Sequence, residues 1–134
     1  MIGRIRAQKS AVYAERRYVL RVLAVRGRTT GEIRTVPIAV IQLNGRRYVC
    51  SPHCRRDWVR NLLSVGQAEI ERDEHPAYRA VLVEGYEAAR VIHTYVNALG
   101  TSSMAWPFSP SATVSENRAH TGTTAVFRLE SHRG

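Results

Sequence analysis

Two residues, Asn44-Gly45, constrain this chain more than any other local feature. They lie between two apolar, β-branched runs, residues 36–43 (VPIAVIQL) and 47–51 (RYVCS). A two-residue hairpin loop of the I′ type needs positive φ at both central positions, and Asn-Gly meets that need at the lowest steric cost. The chain is therefore committed to an antiparallel sheet, and the remaining segments are read by how they extend it.

Residues 18–25 (YVLRVLAV) are rich in β-branched and aromatic side chains and read as a strand. Pro37 belongs near the start of its strand or at an edge. Residues 67–72 (QAEIER) and 77–83 (AYRAVLV) form a second hairpin pattern, joined through Asp73-Glu74-His75-Pro76. Residues 123–129 (TTAVFRL) supply the last strand, followed by a polar tail. Two helices interrupt this series. Trp58, Leu62 and Val65, flanked by Val59 and Leu63, recur at helical spacing over 55–65, with Gly66 as the stop. Ala88, Val91, Ile92, Tyr95, Val96 and Leu99 mark one face of a second helix, ended by Gly100. Antiparallel strands with interposed helices give a small barrel or an α+β fold.

A chain of 134 residues accommodates one such domain, and 44% apolar residues suffice for a core without disulfide staples. Residues 1–17 read as a basic arm or short helix, with Val12 and Tyr13 on one side; residues 18–134 form the single domain. No apolar run reaches the ~20 residues of a membrane span, and the basic N-terminus lacks the apolar stretch of a secretory signal. The expectation is a cytoplasmic protein with Cys50 and Cys54 reduced. Cys50 reads as a core residue. His53 and His75 have no metal-ligand spacing beside the cysteines, so no metal is expected. The five histidines have no partner that would make a nucleophilic triad, and no carboxylate pair suits glycosidase-type acid–base work.

A net charge of +9 asks for an anionic partner. Nucleic acid would answer to it, but Lys9 is the only lysine, and arginine equally suits bidentate capture of a small phosphorylated or carboxylated molecule. The aromatics fit core, helix or lid positions better than a strand surface for stacking bases. A small-molecule partner is therefore expected, and nucleic acid is not.

Three segments carry candidate chemistry. In Gly27-Arg28-Thr29-Thr30-Gly31-Glu32-Ile33-Arg34-Thr35-Val36-Pro37, glycines let the backbone approach an anion, while adjacent hydroxyls and two arginines recognise it. A solvated hairpin turn is the plain alternative. In residues 51–63 (SPHCRRDWVRNLL), a strand end passes into a helix N-terminus, where backbone N–H groups and the helix dipole favour anions. Arg55 and Arg56 fall in its first turn. Trp58 and Asn61, three apart, share a face and can reach one ligand; alternatively Trp58 anchors the core and Asn61 faces solvent. Residues 100–121 form a long loop in which Met104, Trp106 and Phe108, with Tyr86 and Tyr95, suit a lid over a planar ring or a latch or dimer contact.

The first two segments, together with VFRLE at 126–130, resemble the signatures of the deazaflavin-dependent nitroreductase and quinone reductase family, in the right order over about residues 18–130. The resemblance implies a mainly β or α+β fold, a split β-barrel of the FMN-binding-like type with two or three helices. It implies an oxidoreductase that moves a hydride from reduced coenzyme F420 to a quinone, nitro compound, enone or biosynthetic intermediate. Carried over by position, Arg28, Thr29, Thr30, Arg34, Thr35 and Pro37 form one wall of the cofactor site, and Ser51, Arg56, Trp58 and Asn61 the other. Tyr86, Met104, Trp106 and Phe108 fall on the substrate side. Ser51, Tyr86 and Tyr95 are the candidates for a catalytic acid, although positioning alone can suffice when the cofactor supplies the hydride. Two departures stand out: Thr29 replaces a lysine common in the family, and the stretch from Ser51 to Trp58 is shortened and lacks the usual Gly-Gly. They keep two alternatives in view, an FMN-dependent reductase of the same fold and a barrel that has become a cofactor-free enzyme or binding protein. A homodimer suits the resemblance and the aromatic loop.

Overall fold

A computed structural model describes residues 2–7, 12–51, 55–73, 75, 77–99 and 124–131. Its elements are α1 (Ile2–Ala7), β1 (Tyr18–Arg26), β2 (Ile33–Leu43), β3 (Arg46–Ser51), α2 (Asp57–Val65), β4 (Gln67–Ile70), β5 (Tyr78–Val83), α3 (Gly85–Leu99) and β6 (Ala125–Ser131). The six strands close a barrel in the order β1-β2-β3-β6-β5-β4, with every pairing antiparallel.

The hairpin forms where Asn44-Gly45 places it, with φ of 54° and 74°. β2 begins earlier than its apolar run, at Ile33, because pairing with β1 carries the polar residues Arg34 and Thr35 into the ladder. Pro37 thus lies inside β2, opposite Val22. It is tolerated there because β3 pairs only with Ile41–Leu43, leaving this half of β2 with one partner strand. β6 likewise runs to Ser131, two residues beyond the apolar pattern, because Glu130 and Ser131 pair with Arg79 and Tyr78 of β5.

The period-2 alternation of the strands builds two cores. The lumen takes residues from all six strands, among them Leu23, Val40, Val49, Ile70, Tyr78 and Phe127, together with Trp58, Val59 and Leu62 of α2. On the outer face, Ala39, Ile41, Tyr48, Cys50 and Val126 pack against Ala88, Val91, Ile92, Tyr95 and Val96 of α3. Cys50 is a core residue, and burial pushes its thiol pKa up. No helix among the described residues is long and apolar enough to cross a membrane.

α2 stops at Gly66, whose φ is 75° and whose N–H donates to the Leu62 carbonyl at 2.7 Å. A Cβ at Gly66 would meet nothing within 4 Å, so the cost of Gly66→Ala is conformational alone. That substitution is expected to lower the unfolding free energy by about 1 kcal/mol, read from urea denaturation.

The lumen is polar around β3 and the start of β5. Arg21 and Arg47 share faces with Leu23 and Val49 and so point inward. Tyr13, half-buried while its neighbour Val12 is exposed, lies beneath both guanidinium groups, which stand 5.0 and 3.9 Å from its ring centre. The Asp73 side chain is fully buried. Its carboxylate accepts hydrogen bonds from the Tyr13 hydroxyl, the Tyr78 hydroxyl (2.6 Å) and the His75 N–H (3.1 Å). Arg47 donates to the Tyr78 oxygen at 3.0 Å and stands 3.8 Å from Asp73. Desolvation first, and then the hydrogen bond to Asp73, push both phenol pKa values up, so Tyr13 and Tyr78 stay neutral donors. The N-terminal segment is tied on by further bonds. Arg6 makes a two-pronged pair with Glu71 at 2.8 and 2.6 Å, and Glu15 accepts the backbone N–H groups of the Asn44-Gly45 turn.

Candidate functional site

The segment between β1 and β2 folds back on itself. Gly27 N–H donates to the Glu32 carbonyl at 2.7 Å, Gly31 N–H to the Gly27 carbonyl at 3.0 Å, and Glu32 N–H to the Thr30 hydroxyl at 3.2 Å. α2 fastens this loop to the barrel. The buried Asn61 carboxamide oxygen accepts from the backbone N–H of Arg28 (3.1 Å) and from its guanidinium (2.7 Å). Asp57 stands 3.7 Å from the same guanidinium. Trp58, beside Asn61 on the helix, is buried in the lumenal core with its ring 6.3 Å from that of Phe127.

These residues surround a cavity of about 400 Å³, within the usual range for small-molecule sites. Its walls are Gly27, Arg28, Thr29, Thr30, Arg34, Thr35 and Val36 from the loop and β2, and Asp57, Trp58 and Asn61 from α2. Arg28 is fixed by Asn61, whereas Arg34 is exposed and only 3.8 Å from Glu32. The residue before α2, Arg56, makes no side-chain capping bond. The first-turn N–H groups are therefore not capped by that side chain, and helix starts of this kind attract anions. Two guanidiniums and two adjacent hydroxyls on the loop wall, with a helix start and its indole on the other, suit an oxyanion joined to a planar or apolar body.

The two motifs that the sequence separates by some twenty residues thus meet at one cavity. Pro37, Ser51 and Arg56 do not line it: Pro37 lies further along β2, Ser51 is buried in β3 opposite Ala125, and Arg56 precedes α2 with its side chain exposed. Arg55 and Arg56 therefore stand before the helix rather than in its first turn. Asn61 does not face solvent, because its amide holds the loop. Asp57 lines the cavity without having been singled out; its place one residue before Trp58 was the available signal.

The candidate acids sit elsewhere. Tyr95 is buried under α3, donates to the Ala39 carbonyl at 2.9 Å, and has a pKa pushed well above that of a free phenol by desolvation. Tyr86 is exposed at the start of α3, in a separate cleft with Tyr48 and Glu87. Met104, Trp106 and Phe108 lie outside the described residues.

No protein-family model matches the sequence, and no curated protein matches it. Solved structures do resemble it. An F420-H2 dependent reductase shares 19% identity at a TM-score of 0.58, over 90% of this chain and 99% of that one. PhzG from Burkholderia lata 383, in complex with tetrahydrophenazine-1-carboxylic acid, shares 20% identity at a TM-score of 0.56, over 84% of this chain and 66% of that one. A structure described as a domain-swapped dimer shares 19% identity at a TM-score of 0.57, over 83% and 79%. A heme binding protein from Mycobacterium smegmatis shares 18% identity at a TM-score of 0.54, over 84% and 46%. The chain has the mainly β split-barrel fold of these neighbours, a fold that serves more than one ligand.

Proposed function

We propose that this protein is a deazaflavin-dependent reductase, using reduced coenzyme F420 to reduce a small organic acceptor such as a quinone, nitro compound or enone. One observation carries the reading: the 27–36 loop and the Trp58/Asn61 face of α2 together line one arginine-bearing cavity. The similar fold of an F420-H2 dependent reductase supports it. When bound, the deazaflavin supplies the hydride. Arg28 and Arg34, with Thr29, Thr30 and the start of α2, hold its anionic part, while Trp58 and Val36 offer an apolar wall to the rest. Asn61 keeps Arg28 in place between loop and helix. No proton donor is assigned to the cavity, so the protein acts chiefly by positioning and by excluding water. Met104, Trp106 and Phe108 belong to the proposed substrate side. We place the protein in the cytoplasm and infer a homodimer, for which the domain-swapped neighbour is the support.

The test is equilibrium titration with oxidised F420 and, in parallel, FMN, followed by fluorescence. Micromolar binding of F420 that weakens at least tenfold in Arg34→Ala supports the reading. Tight binding of FMN instead makes the protein an FMN-dependent reductase of the same fold. Binding of neither leaves a barrel without a redox cofactor.

A further inference from the structure

A second and larger cavity, about 650 Å³, opens beside the Asn44-Gly45 turn and the start of β3, the start of β5 and the end of β6. β2 runs from the first cavity to this turn. From Val36 at the first cavity to Leu43 beside the turn is seven residue steps, which at ~3.3 Å each separate the two by roughly 23 Å along the strand. Arg46, Arg47, Arg79, Arg128 and Glu130 are among its lining residues, and of the four guanidinium groups those of Arg79 and Arg128 bind the Glu130 carboxylate.

The floor of this cavity is built rather than incidental. Arg47 is stacked on the Tyr13 ring, donates to Tyr78 and stands beside buried Asp73, so its guanidinium cannot swing away. Its side chain remains 17% exposed. At the rim, Glu130 bridges two arginines, taking a bond from Arg79 on one oxygen and from Arg128 Nε at 2.8 Å on the other. This internal carboxylate occupies the position that an external oxyanion would take between two guanidinium forks. Glu87 holds Arg128 from behind and accepts from the Tyr48 hydroxyl at 2.8 Å. All four arginines therefore already have a carboxylate nearby. A singly charged ligand would gain little, whereas one with two or more oxyanion groups can engage several forks at once.

We propose that this cavity is a second anion site, independent of the redox reading, for a small molecule carrying at least two oxyanion groups, either a phosphate ester or a polycarboxylate. The chemistry of the forks is common to both sources. Calorimetric titration of the full chain with inorganic pyrophosphate, and separately with citrate, tells them apart. Arg46 and Arg79 are exposed, so the R46A/R79A double variant is expected to fold with little change in melting temperature. The expected result is a binding component that weakens at least tenfold in R46A/R79A, tightens several-fold in Glu130→Gln, and persists when Arg34→Ala weakens anion binding at the first cavity. A preference for pyrophosphate or for citrate names the ligand class. The proposal is overturned if neither anion saturates, if Glu130→Gln leaves the affinity unchanged, or if Arg34→Ala abolishes the binding. Binding of oligonucleotides in place of the small anions, growing with their length, would overturn it in favour of a nucleic-acid surface.

Discussion

Asp73→Ala is expected to lower the unfolding free energy by about 3–5 kcal/mol, the usual cost of removing one partner from a buried charged pair. The carboxylate is fully buried and receives two phenol hydroxyls and a backbone N–H, with Arg47 at 3.8 Å. Its removal leaves the buried Tyr78 and half-buried Tyr13 hydroxyls without their acceptor and Arg47 without its nearest carboxylate. Urea denaturation followed by tryptophan fluorescence measures the loss. Tyr13→Phe, which removes one donor and keeps the ring beneath both arginines, should cost only about 1 kcal/mol. If Asp73→Ala cost no more than Tyr13→Phe, water would have to reach this end of the lumen, and the network would not hold the barrel together.

Asn61→Leu is expected to weaken binding of the proposed deazaflavin about ten- to hundredfold, matching the roughly 1.5–3 kcal/mol of a hydrogen bond to a charged group. Leucine is similar in volume, so α2 and the core stay packed, but the Arg28 backbone N–H and guanidinium lose their shared oxygen. The 27–36 loop then loses its fastening to α2. Asn61→Asp separates positioning from charge. It keeps the acceptor and therefore the loop, yet it adds a negative group to the wall that receives the anion. Stability should hold while affinity falls. Fluorescence titration beside denaturation reads both quantities, and unchanged affinity in Asn61→Leu would mean that Arg28 does not need this bond to receive the ligand.

The strands were legible because their signals are local. β-branched runs, Asn44-Gly45 and the αL stop at Gly66 act over a few residues, and the structure places elements at each of them. The ends of β2 and β6 were not legible, since Arg34, Thr35, Glu130 and Ser131 are strand residues only by virtue of their cross-strand partners. Composition cannot show that. The 27–36 loop and the Trp58/Asn61 face were readable as motifs, and the fold brings both to one cavity. The burial of Asn61 was not readable, because a polar residue on a helix looks solvent-facing until its partner, 33 positions away, is known. The Asp73 network left still less trace. Tyr13 and Asp73 are 60 positions apart, and Arg21 sits in β1 as an ordinary interruption of an apolar run. Long-range polar contacts have no periodicity to betray them.

The place of β6 has a consequence for how the chain is made. It lies between β3 and β5 and pairs with both, yet of the six barrel strands it is the last in chain order and so the last of them to leave the ribosome. Until it emerges, β3 and β5 each present an open row of backbone donors and acceptors, and the outer core lacks Val126 beneath α3. The nascent barrel therefore keeps two open edges until they are sealed by a single segment of seven residues. The arginines on these strands and at their turns, Arg46, Arg47 and Arg79 among them, give that unfinished sheet a repulsive charge against its own copies.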